Sequence, residues 1–268
     1  MLATLLDRTE GDAVPLAPAL ADRYGGPLRF PVGGGPHVFA NFVSTIDGIV
    51  SFALPGRSQA SLISAGDPAD RFVLALLRAV ADAIVVGAGT LRQEPGVIWT
   101  PEAAFPEAGD EFARLRATMR KTPRPLTLLV SASGAIDPHA AALAEGAPVV
   151  ILTTDRGAAA LAGLGAHVRV RRLVHGTTAE MVSIASEESG GGRVLTEGGP
   201  TLFGQFLRER TVDELFLTVA PRVAGRTRDE PRVALVQGTA FAPEAVPGAR
   251  LLSVKAADDY LLLRFELR

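Results

Sequence analysis

The 268-residue chain contains no cysteine, one tryptophan, two tyrosines and only two lysines, Lys121 and Lys255. The absence of cysteine excludes disulfides, thiolate metal sites, cysteine nucleophiles and iron–sulfur clusters. Because lysine is so scarce, an anionic ligand must be bound mainly by arginine side chains or by backbone N–H groups.

The sequence also lacks an excess of charge of one sign. Its formal net charge is -2 and it has no block of like charges, so neither nucleic acid nor a membrane surface is an expected partner. No apolar run reaches the roughly 18 residues of a transmembrane helix, and the first residues do not have the pattern of a signal peptide. We therefore expect a cytoplasmic protein that acts on a small molecule.

What the chain does contain is a large apolar fraction, 47% of its residues, in alternating strand and helix patterns. The segment 37–45, HVFANFVST, is short, aromatic and β-branched, which predicts a strand. Further along, Asp67 is suited to cap a helix, Pro68 to its first position, and apolar residues then recur at helical spacing. The alternation predicts an α/β fold with a mostly parallel central sheet flanked by helices, and the helix-poor end predicts antiparallel C-terminal strands.

We expect one domain over residues 37–268, preceded by an N-terminal extension over residues 1–36. The extension is rich in proline, glycine and alanine and ends in PVGGGP, which predicts a loop before the first strand. Residues 95–125 are rich in proline and charge, and we interpret them as an excursion from the core around one helix.

Two glycine turns follow predicted strands and precede predicted helices. One is GAGT, residues 87–90, and the other is EGGPT, residues 197–201. Parallel strands line a crevice with their carboxyl ends, and glycine turns at helix N-termini bind phosphate through backbone N–H groups. Together the turns indicate a dinucleotide, although GAGTLR lacks the third glycine of the Rossmann fingerprint. For each turn taken alone, a tight turn required only by packing is the alternative.

Three charged side chains are candidates for a substrate site, each with a structural alternative. Asp47 belongs to an Asp-Gly turn and either stabilises that turn or stands at the mouth of the crevice. Glu197 follows a buried strand and either accepts hydrogen bonds from the N–H groups of a heterocycle or faces solvent. Arg78 lies on an apolar helix and either binds an anionic substrate or pairs with Asp82. The four histidines have no metal-ligand spacing, so no metal site is predicted.

Three blocks of the sequence resemble a known family. ANFVSTIDGIVSF, DRFVLALLRAVADAIVVGAGTLRQEP and VLTEGGPTLFGQFLRERTVDELFLTVAPRVAGR are similar to the reductase domain of bacterial riboflavin biosynthesis, the RibD C-terminal type, and in particular to stand-alone actinobacterial pyrimidine reductases. The resemblance implies a dihydrofolate reductase-like fold and a homodimer. It also implies NADPH-dependent reduction of 5-amino-6-(5-phosphoribosylamino)uracil, with hydride delivered to C1' of the ribose.

The resemblance and the glycine turns together assign the candidate site residues. The predicted cofactor-binding residues are Val43, Gly87, Gly89, Thr90, Glu94, Ser133, Gly198, Gly199, Pro200, Thr201 and Leu202. The predicted substrate-binding residues are Asn41, Ser61, Arg78 and Glu197, with Ser58 as the alternative to Ser61. Glu197 and Asp47 are the catalytic candidates, and the proton comes from Asp47 or from solvent.

Two departures from the family pattern leave the substrate open. Many members carry lysine where this chain has Asn41, and an arginine soon after the acidic-residue-plus-proline motif, where this chain reads EPGVIWT. The alternatives are therefore a dihydrofolate or pterin reductase and a non-catalytic NADPH-binding protein. Preference for NADPH over NADH is also open, since Ser131 and Ser133 suit a 2'-phosphate but an arginine would have to come from Arg92 or Arg156.

Overall fold

A ten-stranded sheet runs through the protein in the computed structural model, which describes residues 1–144, 146–165, 167–229 and 232–268. The strands of the described residues are β1 (Ala3–Asp7), β2 (Asp12–Ala13), β3 (Arg29–Phe30), β4 (His37–Thr45), β5 (Ile49–Ser51), β6 (Ala83–Gly87), β7 (Leu126–Val130), β8 (Val149–Thr153), β9 (Arg169–Arg172), β10 (Arg193–Thr196), β11 (Glu214–Ala220), β12 (Val233–Ala234), β13 (Ala249–Ala257) and β14 (Tyr260–Leu267). The helices of the same residues are α1 (Pro18–Tyr24), α2 (Gln59–Ser64), α3 (Pro68–Val80), α4 (Ala88–Gln93), α5 (Pro101–Ala104), α6 (Gly109–Thr118), α7 (Asp155–Ala160), α8 (Thr178–Ser189) and α9 (Pro200–Arg208).

The order of strands across the sheet is β1-β13-β14-β11-β4-β10-β6-β7-β8-β9. From β11 to β9 all neighbours are parallel, whereas β14, β13 and β1 are added to β11 as an antiparallel edge. Central strands such as β7 and β8 are apolar except for one threonine each, because helices cover both faces of the parallel part. The predicted α/β fold class, with a mostly parallel sheet and antiparallel C-terminal strands, is confirmed.

Helix α3 begins where the sequence predicts. The carboxylate of Asp67 accepts hydrogen bonds from the N–H groups of Ala69 and Asp70, each at 2.9 Å, and Pro68 occupies the first helical position. An N-cap supplies acceptors for the N–H groups that have no partner within the helix. Residues 67–70 are therefore sufficient to determine where α3 begins. The apolar residues of α3 are buried against the sheet.

The excursion over residues 95–125 packs on the outer side of α3. It contains α5, α6 and a short 3-10 helix at Pro106–Ala108, and buries Trp99 and Phe112. The side chain of Arg116 is 1% exposed and donates hydrogen bonds to carbonyl oxygens at the end of α3, the shortest at 2.7 Å to Ala81. Arg116 thus satisfies the last carbonyl groups of the helix that carries Arg78.

The N-terminal extension adds an edge strand to the sheet. β1 pairs antiparallel with β13, and Leu28 and Phe30 are buried in the core beside α3. Local proline and glycine signals predict a loop here, but the segment forms β1, α1 and the β2–β3 pair because distant strands supply the partners. The domain boundary at residue 36 stays a prediction.

No helix among the described residues has the length and apolar character needed to cross a membrane.

Candidate functional site

A cavity of about 880 Å³ opens at the carboxyl edge of the parallel strands. The ends of β4, β6, β7 and β10 form its floor, and α3 and the segment 94–104 form its walls. This is the position at which open α/β sheets bind ligands. The cavity is lined by fourteen of the residues proposed from the sequence: Asn41, Val43, Arg78, Gly87, Gly89, Thr90, Glu94, Ser133, Glu197, Gly198, Gly199, Pro200, Thr201 and Leu202.

The two glycine turns lie side by side in this cavity. A Cβ atom on Gly199 would lie 3.4 Å from Oγ1 of Thr90, and one on Gly198 would lie 2.6 Å from Cδ2 of Leu202. The second distance is below any normal carbon contact, so a side chain at Gly198 would displace Leu202. Close packing therefore favours glycine at Gly198, and the turn presents backbone to the cavity beside it.

Helix α9 starts at the second turn without a side-chain cap. Its N-cap residue is Gly199, and no side chain accepts a hydrogen bond from the first turn. By contrast, α3 and α8 are capped by Asp67 and Thr177. The uncapped N–H groups of α9 and the positive end of its dipole thus face the cavity, and this combination binds phosphate groups.

Arg78 and Glu197 form a buried ion pair on the other side of the cavity. Nε and Nη2 of Arg78 donate to the two carboxylate oxygens of Glu197, both at 2.7 Å. Nη1 of Arg78 donates to the carbonyl oxygens of Ile98 and Thr100, at 3.4 and 3.2 Å. The side chains are 6% and 11% exposed, so the fork-to-fork contact fixes the orientation of Glu197.

Asp82, the alternative partner of Arg78, is occupied elsewhere. It forms an ion pair with Lys121 and accepts a hydrogen bond from the N–H group of Arg193 at 2.9 Å. The alternative pairing between Arg78 and Asp82 is therefore wrong, because helical spacing brings the two residues near each other but a carboxylate from a distant strand end competes for the guanidinium.

Glu94 is a second carboxyl group in the cavity. Its Oε1 accepts a hydrogen bond from the N–H group of Gln59 at 2.9 Å. Burial raises the pKa of Glu94, and the nearby negative charge of Glu197 raises it further, while hydrogen bonds from Gln59 and Ser58 and the charge of Arg78 act in the opposite direction. A protonated form of Glu94 is thus more accessible near neutral pH than for a free glutamate.

Asp47 lies outside the cavity lining. Its carboxylate accepts hydrogen bonds from the hydroxyl of Thr45 at 2.6 Å and from the N–H groups of Ala224 and Gly225 at 3.0 and 2.7 Å. The hydroxyl of Thr45 and these N–H groups lower the pKa of Asp47 to about 2. The geometry corrects the expected position at the crevice mouth, because this carboxylate joins the turn after β4 to the segment after β11.

Ser61 also lies outside the lining, on the exposed side of α2. The serine that does line the cavity is the alternative, Ser58, which caps α2 by accepting a hydrogen bond from the N–H group of Ser61 at 3.3 Å. The position of Ser61 is therefore corrected in favour of Ser58, because the turn before α2 and the first residues of the helix face the cavity, whereas Ser61 lies on the exposed side.

Sequence reasoning did not single out Asp70 and Arg71, which line the cavity from the first turns of α3. Burial raises the pKa of Asp70 to about 6, partly offset by hydrogen bonds from Thr218 and Ser64. Counting back seven residues, or two turns, from Arg78 along one helix face is the signal that would have found Arg71, whereas no such spacing indicates Asp70. No cluster of histidine, aspartate and glutamate suited to a metal ion occurs in the described ranges.

The fold and the site define an α/β protein with a ligand cavity at the carboxyl edge of a mostly parallel sheet. Residues 36–258 match the RibD C-terminal domain, and the chain belongs to this family. The riboflavin biosynthesis protein RibD of Mycobacterium tuberculosis is 31% identical over 193 residues, which are 72% of this chain and 44% of that protein. The chain thus spans less than half the length of the curated relatives it matches.

Solved structures of similar proteins share the fold. A pyrimidine reductase-like protein from Corynebacterium diphtheriae superposes with a TM-score of 0.67 at 21% identity, covering 87% of this chain and 92% of that one. RibD of Acinetobacter baumannii gives 0.65 at 20% identity, over 87% and 58% of the two chains. The riboflavin biosynthesis reductase Rib7 of Saccharomyces cerevisiae gives 0.55 at 16% identity, over 90% and 93%.

Proposed function

We propose that the protein is an NADPH-dependent reductase of 5-amino-6-(5-phosphoribosylamino)uracil that delivers hydride to C1' of the ribose. The observation that carries the proposal is the orientation of Glu197: a buried carboxylate, held by Arg78 at 2.7 Å, faces the same cavity as the uncapped N-terminus of α9. Family membership supports a riboflavin-pathway substrate.

The residues present fit a dinucleotide cofactor. The N–H groups at the start of α9, together with the turn at Gly87–Thr90, suit a pyrophosphate, and the close approach at Gly199 leaves no side chain in the way. Ser133 and Arg92 line the same part of the cavity and suit a 2'-phosphate, whereas Arg156 does not line it. When bound, NADPH supplies the hydride.

Glu197 is the anchor for the heterocycle. Each of its oxygens accepts one hydrogen bond from Arg78 and retains further acceptor capacity for an N–H group of the uracil. Arg78 is then a positioning residue for Glu197, a different role from the contact to an anionic substrate considered in the sequence analysis, because four of its five N–H donors are already used.

Reduction of a C=N bond requires one proton in addition to hydride, and we assign its source to Glu94. The pKa of Glu94 is raised by burial, and the group lies within electrostatic reach of Arg78 and Glu197 in the cavity. Asp47, the expected source, has a pKa lowered to about 2 and carries no proton to give at neutral pH.

A pterin reductase is the second candidate, and the side chain of residue 41 favours it. Asn41 lines the cavity where many family members have lysine, so the substrate side has less positive charge for a sugar phosphate. Glu197 serves a pterin as well as a uracil, because both present N–H groups in the ring plane.

NADPH oxidation followed by absorbance separates the candidates when the phosphoribosylamino-uracil and dihydrofolate are offered in parallel to purified protein. Faster turnover of the uracil supports the proposal, and faster turnover of dihydrofolate refutes it in favour of the second candidate. Cofactor binding by fluorescence with no oxidation of NADPH by either acceptor would indicate the third alternative, a non-catalytic NADPH-binding protein.

We also propose a homodimer built on the apolar face of the antiparallel edge. Leu261 is 40% exposed, and residues paired across the strands continue the apolar face. The face comprises Leu217 and Val219 of β11, Leu261, Leu263 and Phe265 of β14, and Leu251, Val254 and Ala256 of β13.

The oligomeric state is measured by light scattering coupled to size-exclusion chromatography. Leu261→Glu introduces a charge at the most exposed apolar side chain of β14 and is expected to give a monomer. Val174→Glu, at an 80% exposed site after the opposite edge strand, is the matched control and is expected to leave the dimer intact. A parent protein that is monomeric in this measurement would refute the proposed dimer.

The cytoplasmic location of the protein stays a prediction.

A further inference from the structure

Three cationic side chains line the cavity among the described residues: Arg71, Arg78 and Arg92. Neither Lys121 nor Lys255 is among the lining residues. The positive side-chain charge that favours a phosphate on the acceptor must therefore come from one of the three arginines, and the other lining donors are neutral.

Two of the three arginines are assigned to other tasks. Arg78 uses Nε and Nη2 on Glu197 and Nη1 on two carbonyl oxygens, and its side chain is 6% exposed. Arg92 lies on α4 beside the first glycine turn, in the half of the cavity suited to the cofactor, and Nη1 donates to the carbonyl oxygen of Ala135 at 3.3 Å. Arg71 remains for the acceptor.

Arg71 has a fixed side chain with unused donors. Its Nε donates to the carbonyl oxygen of Ala104 at 3.0 Å, and its guanidinium lies 5.7 Å from the ring centroid of Phe105. Nη2 stands 3.9 Å from the carboxylate of Glu107, beyond hydrogen-bond distance. Four of the five N–H donors of Arg71 thus have no hydrogen bond in the described part of the chain.

The spacing along α3 places Arg71 at one end of an acceptor that is anchored at Glu197. Arg71 and Arg78 are seven residues apart, which is two turns, so they share one face of the helix about 10 Å apart along its axis. Leu74 lies between them and also lines the cavity. A heterocycle at Glu197 with a pentose phosphate attached is of comparable length. Resting on the proposed function, we infer that Arg71 binds the phosphate of the acceptor and so determines preference for a phosphorylated substrate.

The negative charge of the neighbouring Asp70 is directed elsewhere. Its hydrogen-bond partners are Thr218 and Ser64, on β11 and α2, whereas Arg71 packs on Phe105 in the excursion. The two side chains diverge, because successive residues of a helix are rotated by about 100°.

The test compares two acceptors, the phosphoribosylamino-uracil and its dephosphorylated form, with NADPH oxidation as the readout. The parent protein is expected to have a KM at least about 10-fold lower for the phosphorylated acceptor. Arg71→Ala is expected to raise that KM about 10- to 100-fold and to leave the KM of the dephosphorylated acceptor unchanged, so that the preference disappears. Arg71→Lys, which keeps the charge, is expected to recover part of the preference.

Two controls separate a phosphate contact from a structural effect. Glu107→Gln removes the surface partner of Arg71 without changing the cavity lining and is expected to keep the full preference. Arg78→Gln is expected to lower kcat for both acceptors and to leave their ratio intact. An Arg71→Ala protein that keeps the preference, or a parent protein without one, would overturn the inference.

Failure of the proposed function has a different signature. If the parent protein oxidises NADPH with neither acceptor, the reductase assignment fails, and the phosphate site is then tested by thermal shift with ribose 5-phosphate against ribose. Stabilisation by ribose 5-phosphate alone, lost in Arg71→Ala, would support the site. Equal shifts in the parent protein and the variant would refute it.

Discussion

The two halves of the cavity bind ligands by different physical means. The cofactor half presents backbone: two glycine turns in contact and the uncapped N-terminus of α9. The acceptor half presents charged side chains, two of which, Arg78 and Glu197, are bonded to each other. Backbone donors tolerate changes of side-chain type but no added bulk, whereas a buried charge pair tolerates neither partner's loss.

The largest effect is expected from breaking the acceptor half at Glu197. Glu197→Gln leaves Arg78 buried without its counter-charge, and we expect kcat to fall at least about 100-fold while the Kd of NADPH changes less than about twofold. Loss of one partner of a buried pair also destabilises the fold by about 3 to 5 kcal/mol. Steady-state kinetics, cofactor titration and urea unfolding measure the three quantities.

The double variant Arg78→Met/Glu197→Gln separates stability from activity. Removing both charges is expected to recover much of the lost stability, because no unpaired charge remains, but not the turnover. Full activity in Glu197→Gln would remove this carboxylate from the site.

The second prediction concerns the cofactor half and substitutes Gly199 at the N-terminus of α9. Gly199 is the N-cap of α9 with φ -60° and ψ 171°, a conformation open to other residues. Gly199→Asp would cap the helix and add a negative charge where the phosphates bind, so we expect unchanged or higher stability with a Kd for NADPH at least about 10-fold higher. Gly199→Ser caps without charge and is expected to give a smaller loss. Unchanged NADPH affinity in the aspartate variant would refute phosphate binding at α9.

Asp70, in the acceptor half, makes the stability of the protein depend on pH, because burial raises the pKa of Asp70 from 3.8 to about 6. The folded state holds this proton more tightly than the unfolded chain, so the contribution of Asp70 to stability is best below about pH 4 and declines as pH rises through 6. Asp70→Asn is therefore expected to be about 3 kcal/mol more stable than the parent at pH 8, with the difference vanishing near pH 3.5.

Urea unfolding at pH 8 and at about pH 3.5 measures the difference in the free energy of unfolding between Asp70→Asn and the parent protein. Asp67→Asn, on the same helix, keeps an N-cap residue and serves as the matched control with little expected change. A loss of stability at pH 8 in Asp70→Asn would contradict the direction of the pKa shift.

The smallest effect is expected at Arg92. If its guanidinium meets the 2'-phosphate, Arg92→Ala should raise the Kd of NADPH about 5- to 10-fold and leave that of NADH unchanged. Arg156→Ala, outside the cavity lining, is the control. An equal change for both cofactors would assign Arg92 to packing of the turn instead.

Local signals in the sequence were sufficient for the central strands and helices and for much of the cavity, but not for β1, α1 and the β2–β3 pair of the N-terminal segment. Asp67 and Pro68 start α3 as predicted, and the glycine turns at 87–90 and 197–201 do line one cavity. Each of these features depends on interactions within a few residues, or on the rule that parallel strands end at one edge of a sheet. The sequence by itself therefore determined the fold class, the family resemblance and where the glycine turns lie.

Only the tertiary structure decided which charges meet. Glu197 is 119 residues from Arg78 along the chain and displaces the helical neighbour Asp82 as its partner. Asp47 is held by N–H groups 177 and 178 residues away, which removes it from the cavity lining. Periodicity and propensity are properties of neighbours in sequence, whereas a carboxylate pairs with whichever donor the packed strands and helices bring within 3 Å, and that choice exists only once the chain has folded.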